Sequence, residues 1–400
     1  MSLKTSLTNA ARILRTGAAR IAACLPGSSI QFGPPRKAAA TTSISDTSRL
    51  IRHTLIPARS STRPAAQLAD PPLDRWMGQP GHAKIKEIFV AEVPQGRYWG
   101  RFHGYIIDRN DTLITDLSPT FTPPNQPHDA LDQLKLPPLQ ELRGTVAVIN
   151  TLFANNYHHW LLDTLPRFEW LRRAGYDLTR IDRFIFPKKL WPYNLQTLER
   201  LGLDPSKVIC SHPTLHLRAD RLLVPAATEP ANQPLEYDYT PEGLHFVRDL
   251  FLKDNPFLEK KHPARILISR ERANARRLVQ ADRINQLLSD QGFEKILLEN
   301  HTMQAQAALF HHAECIVMPT GGNLANLVFC RPGTVVVELF SPNYYPPFTY
   351  AFMGEIGLRY YALVAEKVSR PHPDAREGNE DIDIDPDRLA TVVRQALSGN

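Results

Sequence analysis

RILISRERANARR (265–277) and CIVMPTGGNLANLVFCRPGTVVVELF (315–340) are the two stretches on which the fold of this chain turns. Each opens on an unbroken apolar run, ILI or CIVM, and then passes into a turn rich in arginine or glycine, which is how a strand buried on both faces ends. Between them the apolar spacing predicts a helix over 281–291 closed by Gly292, a strand over 295–298 and a helix over 303–312. A strand at 315–318, a short helix at 323–329 and a strand at 334–340 complete a β-α-β-α-β-α-β series. Such alternation with continuous apolar strands describes a parallel sheet covered by helices, a Rossmann-like half.

Working outward, a second alternating region lies upstream. Short β-prone runs occupy 85–116 and a Pro-rich stretch, 119–138, interrupts them. The run Thr145-Val146-Ala147-Val148-Ile149 reads as a strand and 160–174 as a helix that Pro166 kinks or divides. Further strands are expected at 183–186 and 221–224, with a helix at 195–201 ending before Gly202. Residues 26–82, rich in Pro, Ser, Thr and Ala, read as a linker, with folding beginning near Ile85. The expected division is a basic, Pro/Ser/Thr-rich arm (1–82), an acceptor-side α/β domain (83–255), a nucleotide-sugar-binding domain (256–365), and an acidic loop with a C-terminal helix (366–400). That helix, 386–397, carries Leu389, Val392, Val393 and Ala396 as its apolar stripe.

With 400 residues, 42% of them hydrophobic, the chain can build more than one core. Its net charge of +6 favours anionic partners. No nucleic-acid signature accompanies the charge, so nucleic acid is not an expected partner. Cys24, Cys210, Cys315 and Cys330 are scattered without zinc-ligand spacing, and a reducing, cytoplasmic setting is expected. No apolar run is long enough to span a membrane. The first 45 residues hold Lys4, Arg12, Arg15, Arg20, Arg36 and Lys37 and no acid. With Leu14, Ala18, Ile21 and Leu25 at helical spacing, the segment fits a peripheral helix on the inner face of a membrane, a transit-like leader or a disordered basic arm.

In an open parallel sheet, ligands sit outside the carboxyl ends of the strands, where helix amides meet phosphate. Three strand ends carry suitable groups. Ser269 and Arg270 follow the first strand, with Arg272, Arg276 and Arg277 beyond; Thr320, Gly321, Gly322 and Asn323 follow the third; Glu338 lies near the end of the last. Arginine forks bind phosphate, glycines admit close backbone approach, and a carboxylate accepts from ribose hydroxyls. The bland alternatives are solvated loop arginines, an ordinary tight turn and a structural Glu338–Arg pair. Upstream, His159 and Asp163 stand four apart, so on a helix the carboxylate could orient the imidazole as a general base, or both could be structural. His158 and His159 diverge and make a poor metal pair. Asp381-x-Asp383-x-Asp385 reads as a solvated charge run rather than a metal motif.

These residues bear a family likeness. NYHHWLLDTLPR (156–167), ISRERANARR (268–277) and MPTGGNLANLVFCRPGTVVVELFSP (318–342) resemble glycosyltransferase family 61 in order and spacing, over about residues 145–364. The resemblance implies an inverting, metal-independent enzyme of GT-B architecture, two Rossmann-like domains facing a cleft, with no cofactor besides the nucleotide diphosphate sugar. Bacterial members are associated with capsular and other surface polysaccharides. The family's N-x-x-H-W-x-x-D pattern falls on Asn156, His159, Trp160 and Asp163, which with His158 places acceptor-side and catalytic groups in the first domain. Its donor-loop arginines fall on Arg270, Arg276 and Arg277, and its E-L-F segment on Glu338, Leu339 and Phe340. Where the family reads G-P-H-G-A-G-L-x-N, this chain has Met318 to Asn326, with Thr320 in place of the histidine, Asn323 in place of the last glycine, and the asparagine kept as Asn326. Expected partners are a nucleotide sugar and a glycan or lipid-linked acceptor. The rival readings are a nucleotide- or glycan-binding relative without turnover and a Rossmann oxidoreductase or epimerase, for which no G-x-G-x-x-G is found.

Overall fold

A computed structural model describes residues 35–68, 81–226, 239–368 and 379–398, apart from positions 103, 121, 123–125, 134, 345 and 347, together with Leu14. The fold is mixed α/β. It divides into a first unit of Met1–Pro57, Glu87–Asn155 and Asp163–Thr228 and a second of Ala58–Lys86, Asn156–Leu162 and Glu229–Asn400. Among the described residues no helix is long and apolar enough to cross a membrane. The expectations for the basic N-terminal segment and Cys24 lie outside the described residues, except for Leu14, which is exposed.

Along the chain, β1 (Lys37–Ala39) and β2 (Ile51–Ile56) belong to the first unit, while β3 (Arg59–Arg63), β4 (Gln67–Leu68) and β5 (Gly81–Ile85) belong to the second. The first unit resumes with β6 (Ile88–Pro94), β7 (Arg97–Trp99), β8 (Tyr105–Ile107), β9 (Thr112–Ile114), β10 (Gln140–Val148), β11 (Arg183–Phe186), β12 (Val208–Cys210) and β13 (His216–Pro225). The second unit then adds β14 (Arg265–Ile268), β15 (Glu294–Ile296), β16 (Cys315–Pro319), β17 (Val335–Phe340), β18 (Arg359–Val364), β19 (Lys367–Val368) and β20 (Ile382–Asp383).

In the first unit β12, β11, β10 and β13 lie side by side and parallel, and β6 and β7 run antiparallel to β13. Winding therefore reverses between β10 and β13, where an open α/β sheet leaves a crevice. Here the crevice is filled from within. Arg167, only 4% exposed, donates through its guanidinium to the carbonyl of Asn150 at 2.7 Å and to that of Pro225, just past β10 and at the end of β13. Arg167 is held there by the helix Pro166–Arg173, whose proline occupies the first turn. Pro166 thus divides the upstream helix, as its missing N–H demands.

The second unit has the sheet order β15-β14-β16-β17-β18-β4, every pairing parallel. Counted along 265–364, this reads second, first, third, fourth, fifth, a doubly wound arrangement whose switch point falls between β14 and β16. On one face the helices Ala281–Ser289 and Pro386–Ser398 bury Ile284, Leu288, Leu389, Val392, Val393 and Ala396 against Leu267, Val317 and Val337. Each such aliphatic burial contributes roughly 1.5–3 kcal/mol.

Two expectations need correction. The described residues within 26–82 are no mere linker: β1 pairs with β9, β2 with β6, β3 with β5, and β4 extends the second unit's sheet beside β18. Backbone pairing rather than apolar periodicity holds these short strands, so the domain boundary at 83 is crossed. The acidic C-terminal piece is not irregular throughout, since β19 pairs with β20 and Ile382 and Ile384 are buried in the core beside Leu389.

Candidate functional site

At the second unit's switch point, β14 runs into Ser269-Arg270 and β16 into Thr320-Gly321-Gly322. Arg270 reaches across to the second of these turns: a Cβ built on Gly321 would stand 2.3 Å from its Nη1. The other side of the guanidinium is pinned, Nε and Nη2 donating to the carbonyl of Ala275 at 3.3 and 3.1 Å. Burial and the neighbouring charge of Arg276 lower its pKa to about 10, so it stays protonated at neutral pH. Arg276 itself sits in the left-handed region at φ 57°, a conformation that costs a side-chain-bearing residue roughly 1 kcal/mol. Its Nε has no hydrogen-bond partner among the described residues, and its guanidinium lies 5.1 Å from the Tyr344 ring centroid. Neither arginine forms an ion pair with a carboxylate among the described residues. Glu299 and Asp381 act on Arg270 and Glu338 on Arg276 through space alone, and two like charges held this close suit an anion between them.

Beside Arg270 lies a cavity of about 370 Å³, also lined by Ser269, Glu271, Arg277, Asn285 and Asp381. Arg277 faces it already paired: its Nη2 meets Asp381 Oδ2 at 2.8 Å and its backbone N–H donates to Asp381 Oδ1 at 2.9 Å. That pair corrects two expectations, because Arg277 is neutralised by its own chain and Asp381 is no free solvated charge. Arg272 is a surface residue bonded to Asn300, in keeping with the bland alternative.

Glu338 is displaced inward from its expected place. It is fully buried, and Thr349 and Tyr360 donate to its Oε2 at 2.7 and 2.8 Å. Burial raises its pKa to about 7, with the Thr349, Tyr360 and Thr320 hydroxyls and the charge of Arg276 opposing the rise. Thr320 is 1% exposed and lies near enough to act on Glu338, yet its hydroxyl meets no partner in hydrogen-bond geometry. Thr320 and Glu338 are buried, whereas Gly321, Gly322 and Asn323 are half-buried, and none of the five lines the cavity. The carboxylates that line the cavity are Glu271 and Asp381. Asp381 was legible in principle, because D-I-D-I-D alternates with the period of a half-buried strand.

Asn156–Leu162 belongs to this unit as well, which corrects its assignment to an N-terminal acceptor domain. Asn156 caps the turn Tyr157–His159, accepting from the His158 N–H at 2.9 Å, and its Oδ1 would stand 3.3 Å from a Cβ on Gly322. Tyr157 donates to Asn326 Oδ1 at 2.7 Å, and Asn326 Nδ2 donates to Gln306 at 3.0 Å. Asn326 is therefore buried as a tie between two elements and not offered to a ligand, and Trp160 is likewise core, 0% exposed. His158 is buried against Tyr239, its Nε2 2.9 Å from the phenol oxygen, and burial pushes its pKa well below the usual value, leaving it neutral. His159 is half-buried and Asp163 buried, with a π-helical stretch, Trp160–Thr164, where the spacing predicted a regular α-helix. Such π turns interrupt helices frequently at functional sites. Among the described residues no group of three or more His, Cys, Asp or Glu is placed to hold a metal ion.

The second unit is thus a doubly wound α/β body with two arginines gathered at its switch point. The family model Glycosyltransferase 61 matches residues 157–337, and over that span the chain is similar to glycosyltransferase family 61. That match supports a glycosyltransferase role. No curated protein matches it.

Proposed function

We infer that the chain transfers a sugar from a nucleotide diphosphate sugar to a hydroxyl of a glycan or lipid-linked acceptor, with inversion and without a metal, as an enzyme of GT-B architecture in surface polysaccharide synthesis. One observation carries this reading: the guanidinium of Arg270 against the Gly321 turn with the charge of Arg276 beside it, neither in an ion pair among the described residues, at the switch point of a parallel sheet. The diphosphate sits on the two arginines and the amides of 320–323, and the nucleoside extends into the cavity beside Arg270, where Asp381 and Glu271 accept from ribose hydroxyls. The acceptor oxygen attacks the anomeric carbon as the bond to the diphosphate breaks. Its proton passes to Asp163 or His159, and the bonding electrons leave on the diphosphate, which the arginines stabilise.

The first test is thermal stabilisation by UDP, GDP, CDP and dTDP, with and without EDTA. A diphosphate at about 100 times its Kd should add roughly 2.7 kcal/mol of stability. A rise in Tm with one nucleotide, unaffected by EDTA and accompanied by nucleotide release from its sugar derivative, supports the reading. No rise with any of them overturns it, and a rise without turnover favours the non-catalytic relative.

Gly321 gives a second, local test. An alanine there collides with Arg270 Nη1. The guanidinium has to swing aside, and φ 158° with ψ −173° is a conformation that a side-chain-bearing residue rarely adopts, so Gly321→Ala should weaken nucleotide binding about ten-fold or more and lower Tm as well. In an Arg270→Ala background the same change should still lower Tm but add little further loss of nucleotide binding, because neighbours acting through one contact are not additive. Full additivity would separate Gly321 from Arg270.

A further inference from the structure

The first unit carries a cavity of its own, of about 430 Å³, for which the donor site has no use. It opens where three parallel strands end: Asn150 and Asn155 follow β10, Lys188 follows β11 and Ser211 follows β12, while Arg101 and Phe102, from the turn between β7 and β8, line it as well. No carboxylate lines it. Arg101 and Lys188 form no ion pair among the described residues, so the cavity is positive and rich in amide and hydroxyl groups. Arg101 is fixed rather than trailing in solvent, donating to Gln133 at 2.7 Å with its guanidinium 5.2 Å from the Phe102 ring centroid.

Phe102 supplies the second observation. Its ring is 53% exposed and its backbone is held at φ 51°. A bulky apolar residue in the left-handed region with its ring in water is unfavourable on both counts, and strain of this kind collects at ligand sites. Phe153 repeats the pattern in the loop after β10, 37% exposed at φ 62°, and Trp191 lies exposed after β11, stacked on Tyr193. Tyr193 in turn donates to the carbonyl of Asn155, which ties this aromatic ledge to the cavity wall. Flat exposed rings beside hydrogen-bonding amides suit the C–H faces and hydroxyls of a sugar, and the two cations suit an acid group on it.

We propose that this cavity binds an acidic saccharide, a sugar chain bearing a carboxylate or phosphate, with Arg101 and Lys188 on the acid group and Phe102 on the ring. Resting on the glycosyltransferase reading, this makes the acceptor an anionic glycan.

The test is binding of the full chain to uronate-, sialate- and phosphate-bearing oligosaccharides and their neutral counterparts, with inorganic phosphate as competitor and UDP binding followed in the same samples. At least one acidic oligosaccharide should bind about ten-fold more tightly than its neutral counterpart, and Lys188→Glu, an exposed substitution, should erase that preference. Phe102→Gly should weaken saccharide binding while leaving Tm unchanged or raised, because glycine accepts φ 51° without strain. Equal binding of acidic and neutral forms, no binding, or displacement by equimolar phosphate each overturns the proposal. If UDP still binds in those cases, the donor reading stands and only the acidic acceptor is lost.

Discussion

Replacing Arg270 by alanine is expected to lower kcat/KM for sugar transfer by about 100- to 1000-fold while Tm stays the same or rises. A hydrogen bond to a charged group contributes about 1.5–3 kcal/mol, and a fork that grips a diphosphate makes two. Their joint loss, about 3–6 kcal/mol, corresponds to at least about 100-fold at about 1.4 kcal/mol per factor of ten, and the lower part of that span is expected because Arg276 stays in place. Stability should not suffer, because Arg270 is both desolvated and repelled by Arg276 when no ligand is present. Arg270→Lys should recover less than about ten-fold, since a lysine ammonium is a point charge and cannot bond to Ala275 while reaching past Gly321. Steady-state kinetics with the donor found in the nucleotide screen read both variants. Undiminished turnover in Arg270→Ala would remove the anion site from the mechanism.

The second large effect concerns Glu338 and pH. Its carboxyl is raised from an ordinary 4.5 to about 7 in the folded protein. Below pH 4.5 both folded and unfolded forms are protonated and no penalty applies. Between 4.5 and 7 the unfolded chain ionises while the folded one keeps its proton, so stability falls as pH rises, and above 7 the full penalty, about 3 kcal/mol, is present. Glu338→Gln keeps an oxygen to accept from Thr349 and Tyr360 but carries no charge. It should match the parent near pH 4.5 and exceed it by up to about 3 kcal/mol at pH 8. Parallel stability curves for the two proteins from pH 5 to 8 would show that Glu338 does not titrate as described.

The parts of this fold legible in the sequence are those where local pattern and burial agree. CIVMP and VVVELF are buried along their whole length, and the unbroken apolar run announces a central parallel strand. Arg270 and the Gly321 turn could be read for the same reason, because a parallel strand's carboxyl end is where ligands gather. RSSTR (59–63) could not, for its strand is fixed by pairing with β5 and carries no periodic apolar face. Nor could the placing of Asn156–Leu162, which depends on the Tyr157–Asn326 contact across 169 positions of chain. Glu338 was misplaced although its neighbours, three valines and Leu339, already argued for an interior carboxyl. Asp381 was missed because its acids were counted and the isoleucines between them were not.

The interleaving of the chain bears on how it can be dissected. The second unit takes Ala58–Lys86 and Asn156–Leu162 from the far side of first-unit sequence. A fragment limited to residues 239–400 would therefore leave the outer edge of β18 without β4 and Asn326 without Tyr157. A bare strand edge and a buried amide lacking its donor both favour aggregation over folding. Splitting the molecule into soluble halves requires reordering or grafting segments, since no single cut separates them.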